Sequence, residues 1–325
     1  MDKGGIVMGE NRNKLPILEA NILYLIIAIM LITMGAKAQS NEIYTGLLIT
    51  EYIIVLLPVL IYLILRNYSL KDSLRLNQIG FIQSVKIIFI VLFAYPIAVF
   101  FNFIGIMILS RFVEIIPNAV PLPTTASEYI VSFLVIALTP GICEEVMFRG
   151  VMMRSYHSLG KRKAIIYSAI LFGLFHFNLQ NLLGPIFLGI LFGLIGYKTN
   201  SLYSTIIGHT VNNTIALTIG YLANDLEQNL ETSIDTTGFA ELDGLFFTFI
   251  SLGIIALLFG FIVYKLVQSL TIYGERETME FESFIKPYSL MEDIVIGERM
   301  SSLEKIPILL VILIFVVWNY NYFFI

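Results

Sequence analysis

The feature that most constrains this chain is a succession of apolar runs, each close to the length needed to cross about 30 Å of hydrocarbon at about 1.5 Å per residue. Nine are read near 17–36, 43–65, 86–109, 128–155, 164–180, 184–199, 202–223, 244–270 and 306–325. The sixth is short and the fourth carries charges, so those two are expected inside a bundle rather than facing lipid. None shows the period-two alternation of a barrel strand, and backbone in hydrocarbon must satisfy its own hydrogen bonds. The expected fold is therefore all-α, a polytopic transmembrane helix bundle of about eight or nine helices. Residues 1–127 would supply N-terminal transmembrane helices and 128–225 a core. Residues 226–325 would supply C-terminal helices, with a cytoplasmic loop near 271–305.

Composition closes off the alternatives. Hydrophobic residues make up 57% of the chain and charged ones 14%, against about 25% charge in soluble domains, so no polar shell is available and a water-soluble enzyme is excluded. A net charge of −4 without a long basic block leaves nothing to build a nucleic-acid face on. The single cysteine, Cys143, can form neither an intrachain disulfide nor a CxxC or Cys/His zinc set. It reads as a small buried hydrophobe.

Basic residues retained in cytoplasmic loops give an orientation. With the N-terminus cytoplasmic, that side receives Lys3, Arg12 and Lys14, then Arg66 to Lys86, then Arg154 to Lys163 with Lys198, and finally Lys265 to Lys305. The other side receives only Lys37 and Arg111, together with the 224–243 loop, which has six acidic residues and no Lys or Arg. Nine spans place the C-terminus outside. The first run sits behind basic residues like a signal peptide but has no clear cleavage site, and reads as a retained helix. The 117–127 stretch, with Pro117, Pro121 and Pro123, reads as a rigid connection, and 271–305 as an interfacial stretch.

Ionisable side chains within a span are costly and mark pathways, pairs or catalytic sites. The fourth run contains Glu144, Glu145 and Arg149 behind Pro140-Gly141. Glu145 and Arg149 are spaced i, i+4 with the acid first, the better orientation for an intrahelical ion pair. Glu144 points about 100° away round the helix and stays available for another partner. Pro140 and Gly141 should loosen the helix and open space for water or substrate. His176 closes Phe172-Gly173-Leu174-Phe175-His176 on the fifth run, and His209 and Asn213 share one face of the seventh. His157 lies in a basic loop and reads as a surface residue. From the cytoplasmic helix ends, Glu144, His176 and His209 lie at depths of about 18, 22 and 12 Å. One buried polar pocket is thus allowed.

A Glu, two His and an Asn can activate water through Glu144 with His176 and stabilise an oxyanion through His209 and Asn213, which amounts to peptide hydrolysis. Glu144, His176 and His209 could instead hold Zn2+, although the HExxH signature is absent. The metal-free version is favoured. Small residues Gly173, Gly184, Gly189, Gly193 and Gly196 would let helices approach closely around the site.

The ordered motifs Glu144-Glu145-x-x-x-Arg149, Phe172-x-x-x-His176 and His209-x-x-x-Asn213 resemble those of the CAAX-protease and bacteriocin-processing family, the type II CAAX prenyl endopeptidases and their bacterial relatives. The resemblance covers roughly 128–225. It implies an intramembrane endopeptidase in which Glu144 activates water with His176 as partner, and His209 and Asn213 stabilise the oxyanion. Glu145, Arg149 and Phe172 would support them. It implies a hydrophobic or lipidated peptide or protein substrate, a prenylated CAAX-type protein being one class, in contact with membrane lipid. The family has been described both as metal-dependent and as metal-independent, so the cofactor stays open. A transporter or proton-relay protein would use similar residues, but no internal repeat is present. A non-catalytic bacteriocin-immunity protein would have less reason to keep every motif residue.

Overall fold

The computed structural model describes residues 15–116, 121–229, 242–271 and 299–324. Among them no strand occurs, and nine helices carry the fold. These are α1 Ile17–Asn41, α2 Ile43–Leu65, α3 Phe81–Leu109, α4 Ala126–Leu159, α5 Lys161–Phe175, α6 Leu183–Thr199, α7 Leu202–Asn229, α8 Leu242–Gln268 and α9 Ser302–Phe324. Six of them, α1, α2, α3, α4, α8 and α9, are long and apolar enough to cross a membrane. The chain is an all-α polytopic bundle.

The charged fourth run is among the six spanning helices, and more of it is buried than of the others. It lies in the middle of the bundle, where its carboxylates meet protein rather than lipid. The remaining three helices are shorter or more polar. α5 opens on Lys161-Arg162-Lys163, α6 has 17 residues, and α7 carries His209, Thr210, Asn212 and Asn213 within its apolar frame.

Several helix ends differ from the hydropathy reading, each for a local reason. α5 stops at Phe175 rather than near 180. The Asn178 side chain accepts the Gln180 and Asn181 backbone N–H groups, offering the chain a turn in place of another helical turn. α3 begins at Phe81, ahead of 86, and α7 continues to Asn229, past 223. The acidic stretch read as a 224–243 loop thus begins within a helix, and residues 230–241 lie outside those described. α9 starts at Ser302 rather than 306. Ser301 accepts from Glu304 N while Glu304 accepts from Ser301 N at 2.6 Å, a reciprocal cap that holds the first turn. Lys3, Arg12, Lys14 and most of 271–305 lie outside the described residues.

Two apolar cores meet along the middle of the bundle. One gathers α1, α2, α4, α5 and α9 around Tyr24, Phe148, Phe172 and Phe175. The other gathers α3, α6 and α8 around Ile90, Phe192 and Ile195. α7 packs on α3, α4 and α6 and so closes the seam between them. At one end the 66–80 segment folds back under the bundle: Arg75 donates to Arg149 O at 3.1 Å, and its carbonyl accepts from Leu202 N at 3.0 Å. α4 and the start of α7 are thereby tied together at that end.

Candidate active site

The site begins with an irregularity in α4. Pro140 has no N–H to offer the carbonyls of the preceding turn. The helix passes through a π-helical turn at Phe133–Leu138, returns to α over Thr139–Glu145, and widens again over Val146–Met152. Such turns rotate the following side chains off the regular 100° spacing. Asn213 Nδ2 from α7 donates to the Ile136 carbonyl in that turn at 3.2 Å, so the irregular stretch of one helix supplies the acceptor that orients the asparagine on another.

Gly141 differs from its expected role. A Cβ at this position would lie 2.4 Å from Thr210 Oγ1 and 3.2 Å from Thr210 N. The room left by glycine is occupied by the α7 backbone and is not open to water or substrate. Close approach of α4 and α7 is what brings His209 to the carboxylates.

Glu145 and Arg149 form the expected ion pair, with Arg149 Nη1 2.6 Å from Glu145 Oε1 and both side chains at most 2% exposed. Arg149 Nη2 also donates to Gly189 O at 3.1 Å. That carbonyl is reachable because Gly189 lets α6 run against α5, where a Cβ would lie 2.8 Å from the Ala169 backbone. The guanidinium stands 4.7 Å from the Phe172 ring centroid and 5.4 Å from that of Phe192, bridging the two cores. His209 joins the pair as well. Its Nδ1 donates to Glu145 Oε1 at 2.9 Å, since an ionised carboxylate can only accept.

Glu145 is thus shared between a cation and an imidazole, while Glu144 is left over. Glu144 is buried and its Oε2 has no hydrogen-bond partner. No hydrogen bond links it to His176, His209 or Asn213 among the described residues. His176 is the exposed member of the set, at the end of α5 rather than within it. Its Nδ1 donates to Phe172 O at 2.9 Å, which leaves Nε2 with its lone pair outward. Phe172 stands edge-on to His176 and to His209, with centroids at 5.2 and 5.6 Å, and forms the wall between the two imidazoles. Phe192 stacks on the other face of His209 at 5.6 Å. Asn213 is half-buried, with its Oδ1 accepting from Asn212 Nδ2 at 3.1 Å. Cys143 is a free, fully buried side chain, and His157 is exposed.

A zinc ion does not fit the residues as they stand. Among the described residues no three His, Cys, Asp or Glu side chains are grouped to hold a metal ion.

One buried acid was missed. Glu51 on α2 is 5% exposed and its Oε2 has no partner. Its only sequence signal is a carboxylate within the apolar run 43–65, which by the cost argument should have been grouped with Glu144.

A family model described as Type II CAAX prenyl endopeptidase Rce1-like matches residues 126–215. The match runs from the first turn of α4 into α7 and includes every motif residue from Glu144 to Asn213. Comparison with curated proteins and with solved structures found no match. Together with the six apolar helices, the match makes this an integral membrane protein, and at family level it supports a CAAX-type intramembrane endopeptidase.

Proposed function

We propose that this protein is an intramembrane endopeptidase that hydrolyses a peptide bond of a membrane-anchored or hydrophobic peptide, a prenylated CAAX-type protein being the substrate class that the family match favours. The observation that carries this reading is the division of labour between adjacent acids. Arg149 and His209 both engage Oε1 of Glu145, while Glu144, buried beside it, takes part in no ion pair among the described residues; each acid keeps a buried Oε2 without a partner. A carboxylate in this position is available to accept a proton.

In the proposed reaction Glu144 takes a proton from water and the resulting hydroxide adds to the scissile carbonyl carbon. His176, with Nε2 free, orients that water from the exposed side. The carbonyl oxygen gains charge and is met by the second Asn213 N–H and by His209 Nε2–H, the ring donating through both nitrogens as an imidazolium against Glu145; contacts outside the substrate set both groups, Glu145 for the ring and Ile136 O for the amide. Glu144 then returns its proton to the leaving amine as the C–N bond breaks. Arg149 touches no reacting atom and acts through Glu145.

The test is cleavage of lipidated and unlipidated hydrophobic peptides by purified protein, with Glu144→Gln and His176→Ala beside wild type. Glu144→Gln should lower kcat by about 10²-fold or more while leaving the helical content intact. Undiminished turnover in that variant would refute the assignment.

A further inference from the structure

We propose that Asn319 on the last helix is a positioning residue: it holds the turn that follows His176 and so fixes where that imidazole stands. The role rests on the reading of His176 as the residue that orients the attacking water.

The chain leaves helical geometry at His176 itself. His176 is the C-cap of α5, and the next residue, Phe177, takes a left-handed backbone with φ 46°. For a bulky residue that conformation is costly and persists only where the surroundings over-determine it. Between Phe177 and the start of α6 at Leu183 the backbone has no helix to pair within, and its polar groups need partners from elsewhere in the bundle. Asn178 accepts the Gln180 and Asn181 N–H groups. The carbonyl and the N–H on either side of Asn178 are taken by α9. Asn319 Oδ1 accepts from Leu179 N at 2.8 Å, and its Nδ2 donates to Phe177 O at 3.4 Å and to Phe315 O, one turn back on α9, at 2.9 Å. The orientation of the amide is forced, because an N–H needs an acceptor and two carbonyls need a donor.

The rest of the surroundings completes the clamp. Asn319 is 4% exposed in a helix otherwise apolar enough to span a membrane, where a polar side chain is stable when it is paired. Phe315 lays its ring beside that of Phe177, with centroids 6.2 Å apart. From the other side Gln180 grips Ile116, accepting from its N at 2.7 Å and donating to its O at 2.9 Å. α9 is itself anchored on α1, where Asn21 Nδ2 donates to Glu304 O at 2.7 Å. The bond from His176 Nδ1 to Phe172 O orients the ring, whereas the clamped turn sets the path of the backbone that carries it. α9 lies outside the residues 126–215 that the family model matches, so this contact brings a further element of the chain to the site.

The experiment uses the full chain in lipid nanodiscs, read by hydrogen-exchange mass spectrometry and by peptide turnover per folded enzyme. Asn319→Leu removes both loop partners. Exchange within 177–182 should quicken by about tenfold while that of α4 and α7 stays as in wild type, and kcat should fall by about tenfold at unchanged KM. Asn319→Asp, which has the same shape and keeps an acceptor for Leu179 N, should recover part of both losses. Val311→Ala loosens α9 at a fully buried position away from the loop and should keep wild-type kcat. If Asn319→Leu fails to fold, Asn319→Ser carries the same comparison. Unchanged exchange within 177–182, or an equal loss of kcat in Val311→Ala, overturns the positioning role. Wild-type kcat in Asn319→Leu beside an inactive His176→Ala also overturns it and leaves the protease reading standing. Undiminished turnover in both Glu144→Gln and His176→Ala overturns the protease reading and this role with it, even where exchange within 177–182 responds.

Discussion

Replacing Arg149 with methionine tests the central electrostatic arrangement. The guanidinium is almost wholly buried, lies 2.6 Å from Glu145, donates to Gly189 O at 3.1 Å, and rests against two aromatic rings. Methionine fills much of the same volume but removes the cation, leaving a carboxylate at 0% exposure that His209 still contacts. Removing one member of a buried ion pair costs about 3–5 kcal/mol, because the other is stranded in low dielectric. The retained His209 contact places this variant at the lower end, about 3 kcal/mol. Glu145→Gln in the same chain removes the stranded charge yet keeps an acceptor for His209. The double variant should therefore lose about 2 kcal/mol less than the sum of the singles. Arg149→Lys keeps the charge without the planar fork and should fall between wild type and Arg149→Met. Equilibrium unfolding in mixed micelles, followed by far-UV circular dichroism and by the fluorescence of the single tryptophan, Trp318, gives all of these values. An Arg149→Met loss below about 1 kcal/mol, or strict additivity in the double variant, would refute the claim that the pair is held as a buried ionic unit.

Two further predictions concern how α4 meets α7. Gly141→Ala pushes a methyl against Thr210 Oγ1 and should destabilise the fold by about 1–3 kcal/mol. Thr210→Ala in the same chain should recover part of that loss in thermal unfolding, and failure to recover any would show that the helices are not held by this contact. Pro140→Ala supplies an N–H that competes for the Ile136 carbonyl and releases Asn213. Peptide turnover should fall by about tenfold with no loss of thermal stability, whereas unchanged kcat would disconnect Asn213's orientation from the proline.

Much of the site is legible in the chain because its parts are local. Glu145 and Arg149 meet through i, i+4 spacing on one helix, and His209 and Asn213 share a face for the same reason. The order of the motifs on successive apolar runs could also be read directly, as could an all-α bundle, since lipid leaves unpaired backbone groups no other solution for runs of this length. Depth along each helix was recoverable only to about 10 Å, because helix ends are set by caps such as Ser301 and turns such as Asn178 that hydropathy does not register.

Rotation and contact between helices belonged to the tertiary structure. No spacing rule relates His209 to Glu145, because helices far apart in sequence can turn about their axes without changing any local pattern. Here the angles are settled by close approaches at Gly141 and Gly189 and by the π-helical turns that re-aim the side chains after them. Sequence alone established which residues are too polar for lipid. Packing decided that Arg149 and His209 would both engage Oε1 of Glu145 and that Glu144 would lie buried outside that ion pair.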